Sequence, residues 1–596
     1  MARGSRTNGL TARARRGRAA TRRRAAAAGA ATALRAARAT LDALAERLGT
    51  YGPDDAARKA SALRAVTAAT FASARDVRHL HRAACFLRAF PDDATVHEAA
   101  CALVAALETH TRRLPAAERR KLEDSGIAGT VTRYRYPAVA ARWLSARAPH
   151  AIDLDWPAVD DPEALGITVA PVLNPLEDEV TDFSGRGFQR WLQRARGTAM
   201  HHPSDLAWLL AQAHAGPAAT AFDREYDAAN PPLAWHISPR TAVADAVVPD
   251  RVVYRSALRR HGEAAAVREP LPAIRLLPRR EARRLLDAWR LTLWARARTI
   301  FQIEQVDDGA CRLADFGDGL TMAIAGVPPA RRSPLEVTYG YLLLANGVPI
   351  GYGGFTTLFA QVNTGINVFP EFRGSEAAFA WQQALRAMHT LTGCARIVIN
   401  PFQFGAGNEE ALASGAYWFH YRLGFRSADA AVRRLADREA ARLARQRAYR
   451  VPMATLRQLA ACDLHLDLAD DAAARYFDES FLEPLGRGIT EAFALEDAAR
   501  RTAALSQMTR RLAGLLGVNL AAWSLPERRG LALLAPLIAQ IADLATWTPE
   551  ERVTLADLCR LRTAPDEIPF VRRLRDHARL RQALAQAASA HAGDAP

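Results

Sequence analysis

The sequence predicts an α+β protein, with a central mixed sheet and its helices flanked by N- and C-terminal all-helical regions. Three observations carry this. Tyr, Val, Ile, Thr and Gly concentrate in the middle third, where apolar residues recur with period two. Asn346-Gly347 stands between two apolar runs in "YGYLLLANGVPIGYGGF", and that dipeptide is the strongest short hairpin signal because both turn positions need positive φ. On either side, Ala-, Leu- and Arg-rich segments repeat at helical spacing.

In chain order, residues 1–40 hold 11 Arg and no acid, which leaves a net +5 for the other 556 of a chain of net charge +16. The expectation is a disordered tail over 1–40. An Arg-rich leader could also meet nucleic acid or an anionic membrane surface, but no aromatics interleave with the arginines as a base-stacking platform requires. The tail lacks the apolar core of a signal peptide, while a transit peptide would share its composition. Residues 41–245 read as a helical domain. "DDATVHEAACALVAALETHTRRL" puts Val96, Ala99, Leu103 and Leu107 on one face. His201-His202, beside a proline, reads as a turn rather than a metal site.

In the centre, "CRLADFGDGLTMAIAGV" predicts a second hairpin at Asp318-Gly319. "GINVF" is a short strand. "PEFRGSEAAFAWQQALRAMHTL" opens a helix with Ala378, Trp381, Leu385 and Met388 on one face, and "ARIVIN" is a buried strand. Strands joined by one helix are expected to be parallel neighbours. Residues 431–596 return to helix, with a capping box at Thr548 and Glu551 and a basic amphipathic helix in "DREAARLARQRAYR". The apolar run "LALLAPLIAQIADLATW" is interrupted by Pro536, Gln540 and Asp543, so no membrane span is expected. The six cysteines stand apart with no metal spacing, which predicts no metal site and a reducing, cytoplasmic setting.

Residues 265–430 resemble the GNAT N-acetyltransferase superfamily. The resemblance rests on "INVFPEFRG", "ARIVIN", Asn408 and the closing "RLGF", in that order and spacing. The whole chain also resembles a bacterial family with helical flanks around such a core, which implies no particular reaction. The superfamily resemblance implies two splayed parallel strands with acetyl-CoA or another acyl-CoA in the wedge between them, and an amine as acceptor. Phe369, Arg373, Gly374, Ser375 and Ala377 would line the pyrophosphate site, since a helix N-terminus offers unpaired N–H groups. Asn408 would help hold the far end of the cofactor.

Departures from the pattern sharpen the expectations. Glu376 replaces a loop glycine, so its carboxylate repels a phosphate unless it turns into the protein or pairs with Arg373. Otherwise it simply suits the helix dipole. His420 stands where the superfamily keeps a Tyr that protonates the leaving thiolate, and Tyr421 follows it. The two are expected to be catalytic, with core packing of Tyr417 to Tyr421 as the competing reading. Glu336, Asn367, Glu371, Glu409 and Glu410 are candidates for the base. The strand pair that closes the fold after Gly-Phe looks missing, because "RSADAAVRRLADREAARL" turns helical. The functional expectation is an N-acyltransferase, against a GNAT-shaped binding or scaffolding protein whose catalysis has lapsed.

Overall fold

Val131–Tyr134 (β1), Ile152–Leu154 (β2) and Leu233–His236 (β3) pair antiparallel in the order β1-β3-β2, within a region whose pattern reads as helix throughout. These runs of three or four residues are too short to show period two above an Ala-rich background. In this computed structural model the described residues are 28–170, 176, 179, 187–197, 202–212, 217–239, 249, 251–494 and 497–593. His201 and residues 1–27 of the tail lie outside them. Residues 28–47 are helical, so the tail expected to be disordered to residue 40 becomes a helix from 28.

The chain divides into two compact units, Met1–Leu258 with Arg290–Thr299, and Arg259–Trp289 with Ile300–Pro596. The first holds β1–β3 and helices whose starts are set by short polar side chains. Ser73 accepts the Asp76 amide and Asp93 accepts the Val96 amide, each satisfying an orphan N–H of its helix. Val96, Ala99, Leu103 and Leu107 all face the core, as their spacing predicts.

The second unit is built on a ten-stranded mixed sheet. Its strands are Ile274–Leu276 (β4), Cys311–Asp315 (β5), Leu320–Gly326 (β6), Val337–Ala345 (β7), Val348–Leu358 (β8), Gln361–Thr364 (β9), Asn367–Val368 (β10), Arg396–Ile399 (β11), Arg426–Ser427 (β12) and Leu464–Asp467 (β13). The order is β12-β13-β11-β9-β8-β7-β6-β5-β4, with β10 on β8. Both hairpins turn where expected. Asn346 and Gly347 have φ of 47° and 74°, and Asp318 and Gly319 have 50° and 72°, a left-handed conformation open to Asn, Asp and Gly.

Helix Ala377–Thr392 buries Trp381, Leu385 and Met388. The C-terminal helices include Pro549–Leu561 with its reciprocal Thr548/Glu551 capping box, and Leu525–Ile538, which contains Pro536. Arg562 and Arg332, both buried, converge on the buried Glu567, with Arg562 donating to Oε1 at 2.6 Å and Arg332 Nε at 3.3 Å. Among the described residues no helix is long and apolar enough to cross a membrane.

Two expectations are corrected here. The parallel partner of "ARIVIN" is Gln361–Thr364, the four residues before "GINVF", in the register Arg396↔Gln361 to Ile399↔Thr364. The strand pair thought missing after Gly-Phe is present as β12 and β13, antiparallel to each other, with β13 antiparallel to β11. Helices Ala430–Arg445 and Met453–Leu459 are inserted between them, which hid the pairing from a reading along the chain.

Candidate functional site

β9 and β10 are one strand interrupted at Gly365-Ile366. On β8 they keep a single register, Phe355↔Thr364 continuing to Tyr352↔Asn367. On the other side the pairing with β11 stops at Ile399↔Thr364. The two parallel strands therefore part after Thr364: β10 runs on along β8, while β11 ends and its chain turns into the short helix Pro401–Phe404. Tyr341 Oη donates to the Gly365 carbonyl at 2.5 Å. A Cβ on Gly365 would lie 2.3 Å from Gln403 Cδ, so the Gln403 side chain covers this point closely and would have to swing away from any larger residue.

The predicted phosphate-loop residues sit at the start of helix Ala377–Thr392, where Ala377 is the first helical residue. Phe369 is buried, donates its amide to the Ile350 carbonyl at 3.1 Å and leans on Tyr352. Gly374 has φ of 82° with open space around it, and Arg373 is exposed and paired with Glu410 at 2.7 Å. Ser375 is buried, and both its amide and its hydroxyl donate to the Phe372 carbonyl. Glu376 is buried and accepts the Arg259 amide at 3.2 Å, so its carboxylate turns into the protein, not toward Arg373.

The aromatic stretch is two short helices, Glu409–Ser414 and Ala416–Arg422, separated at Gly415 with φ of 69°. Asn408 caps only the first, accepting the Ala411 amide and donating to the Phe402 carbonyl, each at 3.1 Å. Its side chain is thus engaged in capping Glu409–Ser414 and not the helix that bears His420. His420 is boxed by the rings of Trp381, Phe404, Phe419 and Phe425, with centroids 5.4–6.4 Å away. Its Nδ1 is buried without a partner, and burial pushes its pKa down to about 3. A side chain so placed is neutral at pH 7 and has no imidazolium proton to give. Tyr421 donates to Asp437 at 2.8 Å, carries Arg426 over its ring and stacks on Tyr417 at i, i+4. Both residues expected to be catalytic therefore make the contacts of packing. The local pattern of aromatics i, i+3 and i+4 around a histidine could have signalled this.

A second set of polar groups was missed. Across the sheet, Thr338, Thr356, Asn363, Val398, His465 and Arg426 are successive cross-strand partners, so their side chains share one face. Gln361, two residues before Asn363, belongs to the same face. Here Asn363 Oδ1, Gln361 Nε2 and His465 Nε2 are buried without a hydrogen-bond partner, which sheet interiors rarely allow. Tyr476 packs against His465 at 5.6 Å, and the Phe477 amide donates to Gln361 Oε1 at 2.9 Å. Burial, then repulsion from Glu336, Asp463 and Asp478, raises the pKa of Glu479. Burial alone raises that of Glu336. Burial pushes His465 down to about 4 and Tyr476 up to about 12. The row crosses β9 at Asn363, one residue before its pairing with β11 ends at Thr364. "LHLDL" at 464–468 alternates with period two and was the signal for β13.

The other proposed bases lie elsewhere. Glu409 pairs with Arg457 and Glu410 with Arg373, while Asn367 is exposed. A cavity of about 590 Å³ opens beside Ile274, Arg312 and Arg572, and none of the predicted site residues lines it. Among the described residues no cluster of His, Cys, Asp or Glu could hold a metal. No known family, curated protein or solved structure matches the chain.

Proposed function

We propose that the second unit is a GNAT-type N-acyltransferase that takes an acyl-CoA at the point where β9 and β11 part. The observation that carries this reading is the parting itself. One parallel pair in an otherwise antiparallel sheet parts after Thr364, next to an exposed Arg-Gly turn and the start of a 16-residue helix. Unpaired strand edges offer backbone donors and acceptors to an extended ligand such as a pantetheine arm. Arg373 and Gly374 fit the phosphates, one by charge and one by leaving room. The turned-in carboxylate of Glu376 removes the repulsion that its presence in the loop suggested.

An amine acceptor would approach from the opposite, polar face. Its nitrogen attacks the thioester carbonyl, the C–N bond forms, the C–S bond breaks, and the thiolate takes a proton. The amine's own proton needs a base. Of the candidate carboxylates, Glu336 is the one whose burial raises its affinity for a proton, and it is near enough to Glu479 to raise that group's pKa as well.

The second reading, a fold whose catalysis has lapsed, is favoured by Gln403 over Gly365 and by the aromatic box around His420. Calorimetry with acetyl-CoA and longer acyl-CoAs separates the two. The acyltransferase reading expects saturable binding that Arg373→Ala weakens by about 10–100-fold, the worth of a charge-assisted phosphate contact of about 1.5–3 kcal/mol. Absence of binding by every thioester supports the lapsed reading.

A further inference from the structure

Helix Ala430–Arg445, inserted between β12 and β13, buries one residue, Ala436. From 428 to 463 the insertion carries eight arginines and four acids. At 100° per residue Arg434, Arg438, Arg442 and Arg445 fall within an arc of about 80°, a stripe about 16 Å long. All four are exposed.

The acids nearby are engaged elsewhere. Asp429 caps the helix, Asp437 accepts the Tyr421 hydroxyl at 2.8 Å, and Glu439 accepts the Tyr449 hydroxyl at 2.6 Å. Arg442 lies over the Tyr449 ring and Arg434 acts on the Asp429 carboxylate, while Arg438 and Arg445 show no ion pair among the described residues. Folding therefore leaves this row of exposed arginines with few direct partners, which contributes nothing to the core.

We propose that this stripe is a docking surface for the phosphate backbone of a nucleic acid, bound without sequence preference. Its length spans about five phosphates of one strand at 3.4 Å each. Arginine, with its planar fork, is the side chain suited to phosphate. A membrane surface fits less well, because Val432, Leu435 and Leu443 are half-buried against the protein and leave no free apolar face to insert. With Tyr449 already covered by Arg442, the contact is to phosphates and not to stacked bases.

The test is fluorescence anisotropy of a labelled random-sequence duplex with the full chain, titrated in salt. The triple variant Arg434→Gln, Arg438→Gln, Arg445→Gln keeps helix propensity. It is expected to reduce the slope of log affinity against log salt by about 2.7, with binding about 10²-fold weaker at 0.1 M salt. The corresponding triple lysine variant is expected to retain the wild-type slope. An unchanged slope in the glutamine variant overturns the proposal, since binding would then belong to another basic segment such as the leader. Loss of the slope in the lysine variant also overturns it, as does binding to anionic phospholipid vesicles with none to the duplex.

Discussion

Replacing Glu567 by alanine is expected to lower the stability of the second unit by about 3–5 kcal/mol, the usual cost of removing one partner from a buried ion pair. Arg562 is fully buried and donates to Glu567 at 2.6 Å, and Arg332 approaches the same oxygen at 3.3 Å. Each guanidinium has further acceptors, Ser333 and Glu336 carbonyls for Arg562 and the Ala564 carbonyl for Arg332, but those are neutral. Without Glu567, two positive charges remain in low dielectric with no anion between them. The check is chemical denaturation of the variant beside a triple variant with Met or Leu at 332, 562 and 567. The triple is expected to recover most of the loss, because replacing a whole buried ionic cluster by apolar groups is often neutral. Equal stability of Glu567→Ala and the parent would contradict this.

The second large effect is on acid stability. Unfolded histidine titrates near pH 6.5. Folded His420 is held neutral by burial until about pH 3, and His465 and His577 until about pH 4. Between these values the unfolded chain binds more protons, so stability rises with pH across the window. It is fully present above pH 6.5 and is lost as pH falls toward the folded values. For His420 alone the loss is on the order of 5 kcal/mol, at about 1.4 kcal/mol for each pH unit between 6.5 and about 3. His420→Phe keeps ring volume in an aromatic box and carries no proton site. It is expected to flatten the dependence of melting temperature on pH below 6.5 while leaving pH 8 stability nearly unchanged. A variant with the parent's acid profile would mean that His420 titrates normally and is not sealed among the rings.

Much of the fold was legible because local chemistry and global structure agree. Asn346-Gly347 and Asp318-Gly319 turn where their positive φ is cheapest, and Thr548 with Glu551 closes a capping box from sequence spacing alone. Trp381, Leu385 and Met388 face inward as their period requires. What was illegible is what depends on distant partners. β12 and β13 have two and four residues and are separated by 36 others, so no local pattern ties them together. The parallel pairing was read four residues late, because Gly365-Ile366 interrupts a strand whose pattern runs on into "GINVF".

The site divides along the same line. Residues at the turn and helix start, from Phe369 to Ala377, lie together because they are consecutive. His420 and Tyr421 carry a chemistry that their type permits and their surroundings withdraw. Burial is a property of the assembled sheet and helices, and the sequence offered only the hint of neighbouring rings. Asn363 and His465 share a face across β9, β11 and β13, with Tyr476 of the following segment packed on His465, an arrangement that only register reveals.

The most direct test of an acyl-CoA site where the strands part is hydrogen exchange of the whole chain with and without acetyl-CoA. Added protection is expected to be confined to residues 365–368, to 373–380 at the helix start, and to 400–405 around Gln403. Unchanged exchange in all three segments at saturating acetyl-CoA, or protection only elsewhere in the chain, would contradict such a site.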